Sequence, residues 1–136
     1  MVLVAGKRGT PPVIRVTRNA LESALQGARE SHPNEFVALF DGSRDSKGVA
    51  LDSLVIPPLA HGDSYSSSFQ PWFLPASSLG LASFHSHPSR SNKPSSQDLD
   101  FFSRTRRWHF IARYPYTVED VAAYDADGTP VGFTIV

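Results

Sequence analysis

Cysteine is absent from the 136 residues. That removes disulfide scaffolds, thiolate zinc sites and cysteine nucleophiles together, and leaves His, Asp and Glu as candidate metal ligands. An excess of charge of one sign is lacking too, since 13 Lys and Arg face 13 Asp and Glu for a formal net charge of +0. No global field draws nucleic acid or anionic lipid to such a chain, and either partner would need a local patch. Apolar runs are short. None approaches the ~20 residues of a membrane span, and Val2 to Ala5 is too brief for the core of a signal peptide. Glutamate is scarce, occurring at positions 22, 30, 35 and 119, so a carboxylate base has few places to be. No repeat or linker divides the chain. What is present, 40% hydrophobic and 11% aromatic residues, is too apolar for disorder. A chain of this length buries roughly two-thirds of its unfolded surface. The expectation is one soluble, cytoplasmic domain spanning 1–136.

Pro12 to Thr17 reads as a first strand, β-branched and bounded by Pro and Gly. Thr17 then caps a helix through Arg18 to about Glu30, with Ala20, Leu21, Ala24, Leu25 and Ala28 forming one apolar stripe. His32-Pro33-Asn34 stops it, because proline cannot continue the hydrogen-bond ladder. Glu35 to Phe40 is apolar on both alternating faces, as in an interior strand. Asp41 to Arg44 is a turn, and Val49 to Pro57 returns as an antiparallel partner. From Pro58 to Ser78 the chain is Ser-, Pro- and Gly-rich with Tyr65, Phe69, Trp72 and Phe73 interspersed, a long loop. Leu81 to His87 is a strand, Ser95 opens a helix from Ser96 to about Arg104, and Trp108 to Tyr114 and Val118 to Tyr124 are strands. Asp127-Gly128 turns the chain into a closing strand, Pro130 to Val136. Strands interleaved with two helices give an α/β or α+β layer architecture, a mixed sheet flanked by helices.

The chemistry concentrates in His85-Ser86-His87. Residues i and i+2 of a strand point to one face, so the two imidazoles can converge on one metal ion. Ser95 and Asp98 follow in the spacing H-x-H-x7-S-x2-D, with Asp98 in the first turn of a helix. In a chain of this composition the pattern arises by chance roughly 0.002 times. Two His and one Asp are three protein ligands, which leaves the fourth corner of a tetrahedral ion open, as in catalytic rather than structural zinc sites. Of the four glutamates, Glu35 begins an apolar strand, where an isolated buried carboxylate is costly without a partner.

The pattern Glu35…His85-Ser86-His87-Pro88…Ser95…Asp98 resembles the JAMM (MPN+) signature of zinc metalloisopeptidases at each defining position. The surroundings are similar as well, with His32-Pro33-Asn34 before Glu35, Arg90-Ser91-Asn92 and Pro94 in the loop, and Tyr114-Pro115-Tyr116 after the following strand. The resemblance covers essentially the whole chain and is nearest to small stand-alone archaeal and bacterial members. It implies the single-domain JAB/MPN fold, an α/β arrangement akin to cytidine deaminases, with a curved mixed sheet flanked by helices. It also implies one zinc ion per chain on His85, His87 and Asp98, with Glu35 as general base on the attacking water. Ser95 would then donate a hydrogen bond to the developing oxyanion. The implied reaction is hydrolysis of the isopeptide or peptide bond after the C-terminal Gly-Gly of a ubiquitin-like modifier or sulfur-carrier protein. The extended tail would lie along a strand edge. Nucleic acid and membrane are not expected partners, and a homodimer is left open.

Plainer readings stand beside these. Ser95-x-x-Asp98 is also a capping box, a role compatible with metal binding. Glu35 can be read as a surface residue at a strand start. His61 and His109 read as bystanders, and Arg104, Arg106 and Arg107 as a solvated helix end. Tyr65, Phe69 and Trp72 either line a groove or anchor their loop. A non-catalytic MPN-type scaffold or protein-binding module is the alternative function, against which the intact ligand set argues. A zinc deaminase is excluded, because its H-x-E and P-C-x-x-C pattern needs cysteine.

Overall fold

The computed structural model describes residues 12–56, 81–105 and 108–136. In chain order the elements are β1 (Val13–Val16), α1 (Arg18–Ser31), β2 (Val37–Arg44), β3 (Gly48–Val55), β4 (Ala82–His87), α2 (Ser96–Thr105), β5 (Trp108–Arg113), β6 (Val121–Tyr124), β7 (Pro130–Val131) and β8 (Thr134–Ile135). They build one mixed sheet in the order β7-β6-β5-β4-β2-β3-β1-β8. β4 lies near the middle, antiparallel to β2 and parallel to β5. The two outermost strands, β7 and β8, are separated in sequence by Gly132 and Phe133 alone, so the sheet must curl until its edges almost meet. Phe133 bridges that gap by setting its ring edge-on to Phe110 of β5, 5.2 Å away.

The first helix forms as its sequence demands. Thr17 has extended backbone and its hydroxyl accepts from Ala20 N at 3.1 Å, satisfying one orphan N–H of the first turn. Ala20, Leu21, Ala24, Leu25 and Ala28 are all buried and pack on Phe36, Phe40, Phe84 and Phe110 of the sheet. Truncating Leu21 or Leu25 to alanine in such a setting costs about 2–5 kcal/mol. The second helix lies against the opposite face, where its Phe102 packs on Ile111 and Tyr124. Side-chain parity separates the two layers. On β4 and β5, Phe84 and Phe110 face α1, whereas His85 contacts Phe102 of α2 with ring centroids 6.4 Å apart. Alternation therefore turns His85 and His87 toward the helix that carries Asp98.

Three expectations need correction. Asp41 to Arg44 is not a turn but the second half of β2, with a register shift between Asp41 and Gly42. Gly42 is there because a Cβ would sit 1.9 Å from the Ala50 carbonyl oxygen, so the bulge lets the strands approach. The reversal comes later, where Asp45 Oδ1 accepts from Lys47 N and Gly48 N and Gly48 adopts φ +157°. Val118 to Asp120 is a turn of 3₁₀ helix before β6, not strand, because the Asp120 carboxylate folds back onto Thr117 N and Oγ1, both at 2.8 Å. The closing strand is two short strands at opposite edges of the sheet. The long loop from Pro58 to Ser78, with Tyr65, Phe69, Trp72 and His61, lies outside the described residues, as do Arg106 and Arg107. Among the described residues no helix is long and apolar enough to cross a membrane.

The bulge gives a paired test. Gly42→Ala should destabilise the fold by about 1–3 kcal/mol through forced backbone shifts. Gly132→Ala, where an added Cβ meets nothing within 4 Å, should stay within about 0.5 kcal/mol of the parent. Urea denaturation of the two variants checks this, and equal midpoints would contradict the close-approach explanation.

Candidate metal centre

β4 delivers two imidazoles and α2 delivers one carboxylate. Nε2 of His85 lies 2.8 Å from Asp98 Oδ1, and Nε2 of His87 lies 3.0 Å from Asp98 Oδ2. All three side chains are largely buried, with relative exposures of 8%, 13% and 14% for His85, His87 and Asp98. One ligand atom from each falls within 4.8 Å of the others. Asp98 reaches this point because it is also part of its helix cap. Ser95 N donates to Asp98 Oδ2 at 2.8 Å, and Asp98 N donates to Ser95 Oγ at 3.1 Å. The reciprocal box and the positive helix end both favour a carboxylate here.

The imidazoles are oriented from behind. Nδ1 of His87 lies 2.9 Å from the Ser91 carbonyl, and a carbonyl can only accept. Nδ1 therefore carries a proton, and Nε2 presents its lone pair when the ring is neutral. His85 Nε2 is buried and has no hydrogen-bond partner, although Asp98 Oδ1 is within reach. The contact is close but lacks hydrogen-bond direction. A buried nitrogen left unpaired beside a carboxylate is costly, and a shared cation removes that cost. The donor set and the orphaned nitrogen together fit a metal ion held by His85, His87 and Asp98.

Electrostatics agree. Burial alone would raise the Asp98 pKa, but contacts with His85 and His87 outweigh it and hold the carboxyl far below its ordinary range. Burial would lower the His87 pKa, yet the bond to Asp98, the Ser91 carbonyl and the negative charges of Asp98 and Glu35 raise it above the usual 6.5. Glu35 lies outside the ligand cluster, half-buried just before β2. The β2–β4 register, Val37 opposite His85, places Glu35 opposite His87 when continued by two residues.

Comparison with known proteins bears on this geometry. Residues 17–125 match the prokaryotic homologs of the JAB domain. The chain belongs to the prokaryotic JAB family. A probable metalloprotease from Haloferax volcanii is 33% identical over 122 residues, spanning 85% of this chain and 75% of its own length. A JAB1/MPN domain protein from Archaeoglobus fulgidus superposes with TM-score 0.70 at 32% identity, covering 90% of this chain and 99% of that one. The structure described as JAMM, a metalloprotease-like zinc site in the proteasome and signalosome, superposes with TM-score 0.67 at 29% identity, covering 91% and 98%. The JAB/MPN fold, the metalloprotease family and the metal-binding group of His85, His87 and Asp98 thus stand together.

In this JAB-family chain two contributors went unassigned in the sequence. Ser86, between the histidines, points to the opposite face and is fully buried. Its Oγ accepts from Phe36 N at 2.9 Å and its N donates to Phe36 O at 3.0 Å, stitching the residue after Glu35 to the ligand strand. A hydroxyl residue enclosed by two ligands was the available signal. The Ser91 carbonyl left no signal, since any residue type supplies one. His109 is buried, with Nδ1 2.7 Å from Ser83 Oγ and its ring stacked 3.9 Å from Phe102. It lies behind the cluster and is not one of its members.

Proton and metal compete for the same nitrogen, and this sets opposite pH dependences. In the metal-free chain the raised His87 pKa contributes stability that is complete below the unfolded value of about 6.5 and is lost as pH rises through the folded value. The stabilisation conferred by a metal grows over the same window as the ring deprotonates. Thermal melts between about pH 6 and pH 8, with chelator and with added zinc, should therefore diverge as pH rises. Parallel curves would contradict the assignment of His87 as a ligand.

Proposed function

We propose that the chain is a zinc-dependent isopeptidase with one zinc ion on His85, His87 and Asp98. In this reading it cleaves the amide bond after the C-terminal Gly-Gly of a ubiquitin-like modifier or sulfur carrier, as a soluble cytoplasmic enzyme. The observation that carries the reading is the convergence of two imidazoles and one carboxylate around an unpaired buried nitrogen, with one acidic and one hydroxyl side chain left over beside them. When bound, zinc polarises the scissile carbonyl and acidifies the attacking water.

The chain's own residues supply the rest. Glu35 accepts the proton of the attacking water and passes it to the departing amine, so the amine leaves neutral. Its place opposite His87 supports this role, since a base must be near the metal without occupying a ligand position. Ser95 Oγ accepts from the backbone of Asp98 and so keeps its own O–H to donate to the developing oxyanion. Ser86 holds the Glu35 segment against the ligand strand. A flexible, glycine-ended tail suits such a site, because only an extended backbone without bulk can approach donors this deeply set.

Three variants separate the roles. Glu35→Gln should retain zinc and lose cleavage by about 10²–10⁴-fold. Asp98→Ala should lose zinc. Ser95→Ala should lower kcat by about 10²–10³-fold and cost about 1 kcal/mol of stability through the lost cap. The assay uses a ubiquitin-like protein joined through its Gly-Gly terminus to a lysine-containing peptide, with zinc content measured in parallel. Tight zinc binding with no cleavage of this or any Gly-Gly conjugate would favour the scaffold reading, and parent-like activity in Glu35→Gln would remove Glu35 as the base.

A further inference from the structure

The Ser91 carbonyl that orients His87 belongs to a loop, residues 88–95, with no helix or strand to hold it. Tyr114 N ties its start by donating to the Ser89 carbonyl at 2.9 Å, and beyond Ser91 the tether is the next residue. Asn92 Nδ2 donates to the Asp120 carbonyl at 2.9 Å, and the Asn92 carbonyl accepts from the Tyr124 hydroxyl at 2.7 Å. Both anchors are buried and distant in sequence. Tyr124 is fixed by stacking on Phe102, with centroids 6.2 Å apart. Asp120 is fixed by the Thr117 backbone and hydroxyl and by Arg113 Nε at 3.0 Å. The contacts between loop residues on either side of Ser91, Ser91 N to Ser89 Oγ and Lys93 N to Ser91 Oγ, are long at 3.3 Å. Asn92 is thus gripped through its side chain and its backbone oxygen, and the peptide group that carries the Ser91 carbonyl is bonded directly to the Cα of this doubly held residue.

We propose that Asn92, braced by Tyr124, is a positioning residue of the metal centre: it fixes the Ser91 carbonyl on His87 Nδ1 and so keeps Nε2 aimed at the ion. The inference rests on reading His85, His87 and Asp98 as metal ligands, and it extends that site to two side chains that never touch the ion. Outer partners of this kind typically change metal affinity by about 10–100-fold. They act by removing the ring's freedom to rotate or to place its proton on the wrong nitrogen.

The test measures zinc affinity by competition with a chromophoric chelator, in the parent and in Asn92→Ala and Tyr124→Phe. Tyr124→Phe keeps the ring in the core and removes the hydroxyl alone. Exchange of the His87 Nδ1 proton in the zinc-loaded chain is followed by NMR. Asn92→Ala should weaken zinc binding by about 10–100-fold and Tyr124→Phe by a smaller factor. In both, the Nδ1 proton should exchange faster than in the parent, while the zinc-free chain keeps its secondary structure. Parent-like affinity in both variants, or weakened affinity with unchanged Nδ1 protection, overturns the proposal. If Asn92→Ala does not fold, Tyr124→Phe decides by the same two readouts. A parent that binds no zinc overturns the metal reading itself, which is distinguishable from failure of the Asn92 proposal alone.

Discussion

The Asp98 carboxylate ties three parts of the chain to one point. Its Oδ1 faces His85, and its Oδ2 faces His87 while accepting the Ser95 N–H. A carboxylate so placed is the strongest acceptor within reach of two buried nitrogens, and it is held there by the start of a helix whose own orphan amides need it. Two opposite demands meet at this group. The helix needs an acidic side chain at its third position, and the imidazoles need a negative partner when protonated or a shared cation when neutral. Because both demands fall on one side chain, the ligand geometry costs the fold little beyond what capping already requires.

Everything around that point serves to bring β4 and α2 together at the right depth. Pairing between β2 and β4 joins Val37–Phe40 to Ala82–His85, and Ser86 extends it to Phe36. α2 lies across the face of β4 and β5 that carries His85, with Phe102 packed on Ile111 and Tyr124. The loop is short of regular structure but not of anchors, since Asn92 ties it to Tyr124 of β6 and to Asp120 in the turn before that strand. An enzyme that must hold a metal with three ligands and keep one corner reachable needs this kind of support, because its ligands cannot be buried from every side.

Much of this was legible in the sequence, for identifiable reasons. The α1 stripe and the Thr17 cap follow from local periodicity and capping chemistry. The common face of His85 and His87 follows from strand parity. Ser95-x-x-Asp98 reads as a capping box, and the structure makes the cap and the ligand one arrangement. What was not legible depended on distant partners. Asp41-Gly42 has the same turn chemistry whether it reverses the chain or bulges a strand, and only the close approach of Ala50 distinguishes the two. Val118-Glu119-Asp120 looks like strand because the fold-back of Asp120 onto Thr117 is invisible to an alternation pattern. The terminal residues read as one strand because nothing local reports that the two sheet edges come together there. The Ser91 carbonyl had no side chain to announce it.

The most direct measurement of the central claim is zinc K-edge X-ray absorption of the loaded chain. Two imidazoles, one carboxylate and one exchangeable position require four nitrogen or oxygen neighbours at about 2.0–2.2 Å, with outer-shell scattering from two imidazole rings. A six-coordinate shell, or scattering from fewer than two imidazoles, would contradict the geometry on which the account rests.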